Sequence, residues 1–167
     1  MTDRFEITRM FAAPRVRLWD AWTKPEEMTA WLGPKGVKTD VLHFDLRPGG
    51  YLHSRVEAPD GSVSWARTTY LEIDPPNRIV WRQGWADEAA EIVAPPFPMP
   101  WPSQMLATIV FAEVDGGTRV TVIWTPVDPT DEQRVSFNQM APSMTGGWAG
   151  MFDQLDAFLG AEGEGTP

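Results

Sequence analysis

Residues 5–11, FEITRMF, alternate apolar and polar positions, the period of a half-buried strand. Pro14 suits the first turn of a helix, and behind it Leu18 and Trp22 stand four apart on one face. Pro25 opens a second short helix, PEEMTAWL, with Glu26 and Glu27 against its positive dipole end, and Gly33-Pro34 ends it. The middle of the chain reads as strands parted by turn residues. The strands are 37–47, 51–57, 63–73, 78–85, 103–114 and 118–127. Turns fall at Pro48-Gly49-Gly50, at APDGS (58–62), at Pro75-Pro76-Asn77 and at Asp115-Gly116-Gly117. The end is helical. Asp131 and Glu132 mark a start, Pro142 and Gly146-Gly147 interrupt it, and from Trp148 a stripe of Met151, Phe152, Leu155, Phe158 and Leu159 runs regularly. The Gly-rich polar segment 161–167 is expected to be a disordered tail.

The order strand, two helices, six strands, helix predicts an α+β domain over residues 1–160. Its antiparallel sheet must bury an apolar face against the long C-terminal helix. A strongly curved sheet gripping one helix leaves space between them, where a ligand pocket is expected. The stretch 86–102 breaks the strand pattern. It holds Pro95, Pro96, Pro98, Pro100 and Pro102 and predicts a stiff inserted loop.

Composition narrows the function. A chain of 167 residues suits one domain. It has no cysteine, which excludes disulfides, cysteine nucleophiles and thiolate metal sites. The balance of 14 Lys+Arg against 23 Asp+Glu, net -9, repels phosphate backbones, so no nucleic-acid partner is expected. No apolar run reaches the length of a membrane span, and MTDRFEITRM carries no signal-peptide pattern. The cytoplasm is the default location. The 9 tryptophans against 2 tyrosines suggest large apolar side chains filling or lining an interior.

Several motifs carry a family resemblance. Ala13-Pro14, Leu18-Trp19, Ala21-Trp22-Thr23, Pro25-Glu26 and Trp31-Leu32-Gly33-Pro34 resemble the opening signature of the activator of heat-shock protein 90 ATPase homologue-like family. That family belongs to the START-like, birch-pollen-allergen-like (SRPBCC) superfamily. Asp45-Leu46-Arg47-Pro48-Gly49-Gly50 resembles its D-x-R-x-G-G turn, and Pro59-Asp60-Gly61 its next hairpin. Tyr70, Glu72-Ile73, Pro75-Pro76 and Arg78-Ile79-Val80 resemble its central strand pair. Gly117-Thr118-Arg119-Val120-Thr121 resembles its last hairpin and Gly147-Trp148 its final helix. The resemblance covers roughly residues 5–160 and departs from the family between Gly84 and Ser103, where the connection is usually shorter. It implies a helix-grip fold, about seven antiparallel strands wrapped round a C-terminal helix. It also implies lipid or small-molecule binding, or a stress-response role like that of the namesake, which stimulates a chaperone ATPase.

The strand phase implied by the resemblance turns Leu42, Phe44, Leu52, Ser54 and Val56 toward the helix. It does the same for Ile79, Trp81, Gln83, Ile109, Phe111, Val120, Val122 and Trp124. On 63–73 the inward set is Val63, Trp65, Arg67 and Leu71, unless a bulge shifts it by one. Met144, Trp148 and Phe152 face them from the helix. Most of the aliphatic members are core fillers. Trp65, Trp81, Trp124 and Trp148 each bring an indole N–H that wants a partner, which favours a cavity wall. Arg67 and Gln83 are the polar candidates for orienting a ligand. A buried Arg67 must pair with an internal carboxylate or an acidic ligand head; a slipped register puts it in solvent.

Other motifs carry less. His43 and His53 point outward by the same phase, as solvated surface groups, and no metal-ligand spacing exists. No G-x-S-x-G elbow or phosphate loop occurs, and no cofactor is expected. Asp153 and Asp156 read as a solvated helix face. Gly146-Gly147 is expected to let the helix approach the sheet closely. Trp85, Ile92, Phe97, Met99 and Trp101 either close over a pocket mouth or face another subunit, as in a homodimer or a protein complex. Three functions follow. The first is a non-catalytic carrier or sensor of a small apolar or amphipathic molecule. The second is a co-chaperone-like interaction module. The third, a cyclase-type enzyme, needs an internal acid or base that no catalytic candidate supplies.

Overall fold

The computed structural model describes residues 3–33 and 36–164; Pro34 of the helix-ending pair and residues 165–167 of the expected tail lie outside them. Strand β1 (Phe5–Phe11) leads into helices α1 (Arg15–Thr23) and α2 (Pro25–Trp31). Strands β2 (Lys38–Phe44), β3 (Tyr51–Glu57), β4 (Val63–Asp74), β5 (Arg78–Ala86), β6 (Gln104–Val114) and β7 (Gly117–Pro126) follow. Helices α3 (Asp131–Gln139) and α4 (Ala141–Glu164) close the chain. All seven strands form one antiparallel sheet in the order β1-β7-β6-β5-β4-β3-β2. The α+β helix-grip architecture expected from the strand order and the family motifs is the observed one.

Local chemistry explains the elements. Met105, Ala107, Ile109 and Phe111 are buried at alternate positions of β6, as are Val120 and Val122 of β7. The sheet meets α4 through Phe152, whose ring stands edge-on to Phe11 of β1 at 5.6 Å, and through Trp148, edge-on to Trp124 of β7 at 5.6 Å. The tight hairpins need glycine where chain crosses chain. A Cβ on Gly117 would lie 2.5 Å from the Phe11 carbonyl oxygen. Helix α2 stops at Leu32, with Gly33 at φ +107 behind it. Helix α3 starts on a reciprocal cap, in which Thr130 accepts from the Gln133 amide and Gln133 accepts from the Thr130 amide.

The helical end differs from expectation in three ways. Pro142 sits in the first turn of α4, where its missing N–H costs nothing, and the break falls at Met140 instead. Gly146 and Gly147 lie inside the helix, and a Cβ on either would meet nothing within 4 Å, so they mediate no close approach. The helix also runs through Glu164, into the segment expected as tail.

Two bulges bend the far half of the sheet. On β2 the pairing shifts between Val41 and His43, leaving Leu42 51% exposed while Val41 and Phe44 pack on the core. On β4 it shifts between Tyr70 and Glu72, turning Leu71 outward. Leu42 is therefore not a cavity residue.

Candidate functional site

Between the sheet and α4 lies a cavity of about 390 Å³. Its floor is the inner face of three neighbouring strands. Leu52, Ser54 and Val56 come from β3, Ala66 and Thr68 from β4, and Trp81, Gln83 and Trp85 from β5. Met105, Trp124, Trp148 and Met151 form the wall toward the core; Leu32, Gly33, Val37 and Thr39 form another side. Phe97, Trp101 and Pro102 of the inserted segment complete it. Phe97 keeps 42% of its surface in solvent while touching the cavity, so the insert is the outer wall.

The expected residues divide cleanly. Leu52, Ser54, Val56, Trp81, Gln83, Trp124 and Trp148 line the cavity, joined by Trp85, Phe97 and Trp101. Ile109, Phe111, Val122, Met144 and Phe152 are buried in the core beside it and do not line it. Phe44 packs against the core edge-on to Tyr70. Ile92 forms a bridge with Ala86, and Met99 is 38% exposed; neither lines the space.

Strand β4 carries the main correction. Ser54 pairs with Ala66 and Leu52 with Thr68, so Ala66 and Thr68 face inward; Trp65 and Arg67 face outward. Val63 shares their outward phase, opposite Glu57. The physical reason is volume. A strand flooring a cavity presents small side chains to it, and the large ones go to the convex face. The run Trp65-Ala66-Arg67-Thr68, large alternating with small, held that signal. Thr39, Val37, Leu32 and Met151 were also missed, because they reach the cavity from a strand edge, a loop and helix positions that no strand phase reports.

The polar groups of the cavity are few. Among the described residues that line it there is no Asp, Glu, Lys, Arg or His. Trp81 Nε1 donates to Gln83 Oε1 at 2.6 Å. The indole nitrogens of Trp22, Trp124 and Trp148 are buried and find no acceptor among the described residues. Their rings pack on one another, Trp22 on Trp148 at 5.9 Å and Trp148 on Trp124 at 5.6 Å. These nitrogens are themselves buried, so they give the cavity no exposed polar handle. Burial pushes the Tyr70 hydroxyl above its ordinary value.

Arg67 has a different task. Its Nη1 donates to the Ala90 carbonyl at 3.0 Å, its Nε to Thr69 Oγ1 at 3.1 Å, and its guanidinium lies 4.2 Å from the Tyr51 ring centre. His53, expected in solvent, is buried and contacts the Asp87 carbonyl at 3.0 Å; a carbonyl only accepts, so Nε2 carries the proton. His43 stacks on Tyr51 at 4.2 Å. The turn they hold is built by the Asp87 carboxylate, which accepts from the Ala89 and Glu91 amides, with Ala90 at φ +66. The insert thus straddles the sheet. Residues 87–91 are clasped to the convex face, and Phe97 and Trp101 return to the concave one, Phe97 edge-on to Trp85 at 6.0 Å.

With this geometry the comparisons agree. The model of the family described as Activator of Hsp90 ATPase homolog 1-like protein matches residues 12–160. The chain belongs to this family. Among solved structures, the chain is similar to protein Ms6760 from Mycobacterium smegmatis, with 29% identity over 95% of this chain and 91% of that one, TM-score 0.75. A Nitrosomonas europaea protein is 26% identical over 96% of each chain, TM-score 0.76. One from Arthrobacter aurescens is 25% identical over 95% of this chain and 86% of that one, TM-score 0.78. A comparison with curated proteins gives no match. Family and fold support a ligand-binding or regulatory role. Among the described residues no helix is long and apolar enough to cross a membrane.

Proposed function

We propose that the protein binds one small apolar or amphipathic molecule between its sheet and α4, as a carrier or sensor. The observation that carries this is a cavity of about 390 Å³ walled by tryptophan, methionine and aliphatic side chains with no titratable group among its described lining residues. That volume is within the range of ligand pockets. General acid–base work needs a side chain that exchanges protons near neutral pH, and this lining offers none, which favours binding over turnover. The clasp at Ala90 and the aromatic contacts of Phe97 hold the insert as a cover over the ligand. Native mass spectrometry of freshly purified protein tests this. The expected result is a folded monomer carrying one small molecule, recovered on denaturation, or taking up one equivalent of an added neutral naphthalene derivative. Protein that stays bare in both settings contradicts it.

A second reading is favoured by one observation. Val93, Phe97 and Met99 are 37%, 42% and 38% exposed along the insert, an apolar strip that a protein partner or a second copy would cover. Removing residues 88–100 separates the two. A cover changes ligand exchange and leaves the oligomeric state alone, whereas a docking strip loses its partner or its dimer.

A further inference from the structure

Within the apolar cavity one short polar band crosses the floor. Gln83 of β5 stands directly opposite Thr68 of β4, and Thr68 is opposite Leu52 of β3, two residues before Ser54 on the same face. Directly opposed side chains on one sheet face have their Cβ atoms about 5 Å apart, so Gln83 and Thr68 form one patch, and Ser54 lies diagonally beyond Thr68 at about 7–8 Å. All three line the cavity.

The state of their hydrogen bonds is informative. Gln83 Oε1 is taken by the Trp81 indole at 2.6 Å. An indole N–H can only donate, so the oxygen must face Trp81, and the amide's NH₂ end is fixed on the other side. That NH₂ donates to no described residue, and neither the Thr68 nor the Ser54 hydroxyl has a partner among them. The band therefore presents an oriented donor pair beside the Thr68 hydroxyl, with the Ser54 hydroxyl farther along, each able to donate. No charged side chain among the described lining residues stands near enough to neutralise an ionised ligand group.

We propose that Gln83, with Thr68 opposite it, is the subsite for a carbonyl-type oxygen, and that the ligand is a neutral ketone, ester or amide with an apolar body. This rests on the binding role proposed above and names its ligand class. One carbonyl oxygen has two lone pairs, matching one amide N–H and one hydroxyl. A hydrocarbon there strands the Gln83 donors, and a carboxylate arrives without a counter-charge.

The test uses three probes of one shape: 2-acetylnaphthalene, 2-isopropenylnaphthalene, in which CH₂ replaces the carbonyl oxygen, and 2-naphthoate. Affinities are measured by equilibrium dialysis on the wild type, on Gln83→Met and on Thr68→Val, whose new side chains are close in size to the old, with a thermal melt showing that each variant is folded. Comparing the ratio of ketone to alkene affinity between wild type and variant cancels their different hydrophobicities. It is expected to fall about tenfold in Gln83→Met and severalfold in Thr68→Val. The carbonyl stretch of bound 2-acetylnaphthalene is expected at lower frequency in the wild type than in Gln83→Met, a signature that packing alone does not produce. Binding of both neutral probes with a ratio that neither variant changes overturns the subsite and leaves the cavity role standing. Tighter binding of 2-naphthoate than of the ketone overturns the neutral-ligand assignment. Failure of all three probes to bind overturns the cavity role and the subsite with it.

Discussion

At the scale of single residues, the cavity exists because adjoining strands hold small side chains, Ala66 and Thr68 on β4 and Ser54 on β3, on the face that looks toward α4. Ala66 sits between Ser54 on one side and Trp85 on the other, facing the open space. Ala66→Phe projects a ring into a void already present, so it is expected to block ligand uptake while lowering the melting temperature by no more than a few degrees; calorimetry beside a binding assay checks both. Tyr70 gives a pH signature. Its hydroxyl is buried and holds its proton above the ordinary tyrosine value. The folded state therefore binds that proton more tightly than the unfolded chain. The stability it contributes is complete below about pH 10 and is lost as pH rises toward the folded value. Tyr70→Phe keeps the ring and removes this titration, so the fall in melting temperature between about pH 9 and 12 should be shallower in the variant.

At the scale of elements, the insert and α4 each make a separate claim. Residues 87–91 are held by Arg67 and His53 from the convex face, while Phe97 and Trp101 cover the cavity from the concave one. A hydrogen bond from a charged donor is worth about 1.5–3 kcal/mol. Arg67→Ala should therefore speed amide exchange across 86–94 and raise the dissociation rate of a bound probe about tenfold, with the sheet's own exchange unchanged. Unaltered exchange in that segment would mean that the clasp holds nothing. Helix α4 is anchored by Phe152, fully buried against Phe11 and Trp148. Phe152→Ala is expected to cost about 3–5 kcal/mol in denaturant unfolding, the range for a large aromatic lost from a core.

Elements were also where the sequence was most and least readable. FEITRMF reports its inner face through alternation, and β6 through Met105, Ala107, Ile109 and Phe111, all buried at alternate positions. Strand β4 does not, because its inner face borders empty space and its outer face is partly covered by the insert. Burial there follows no simple period, and Arg67 and Trp65 read as inward for want of one. Bulges hide similarly. Nothing in TDVLHF shows that Leu42 is the extra residue, since pairing with β3 across the turn decides it. His53 was read as solvated because the segment that covers it, 87–91, belongs to the stretch with no pattern of its own.

At the scale of the molecule, strand order, turn glycines and the apolar stripe of α4 fix one arrangement: a curved sheet closed by β1 on β7, with the helix across its concave side. Filling that arrangement completely would need large side chains at Ala66, Thr68 and Ser54, and the chain has small ones there. The central claim is that this deficit is a binding site. Titration of the wild type and Ala66→Phe with 2-acetylnaphthalene, followed by tryptophan fluorescence, tests it most directly, since Trp81, Trp85, Trp101, Trp124 and Trp148 all border the space. The account predicts saturable binding of one equivalent to the wild type and none to a folded Ala66→Phe. Equal binding by both would place the probe outside the cavity and contradict the account.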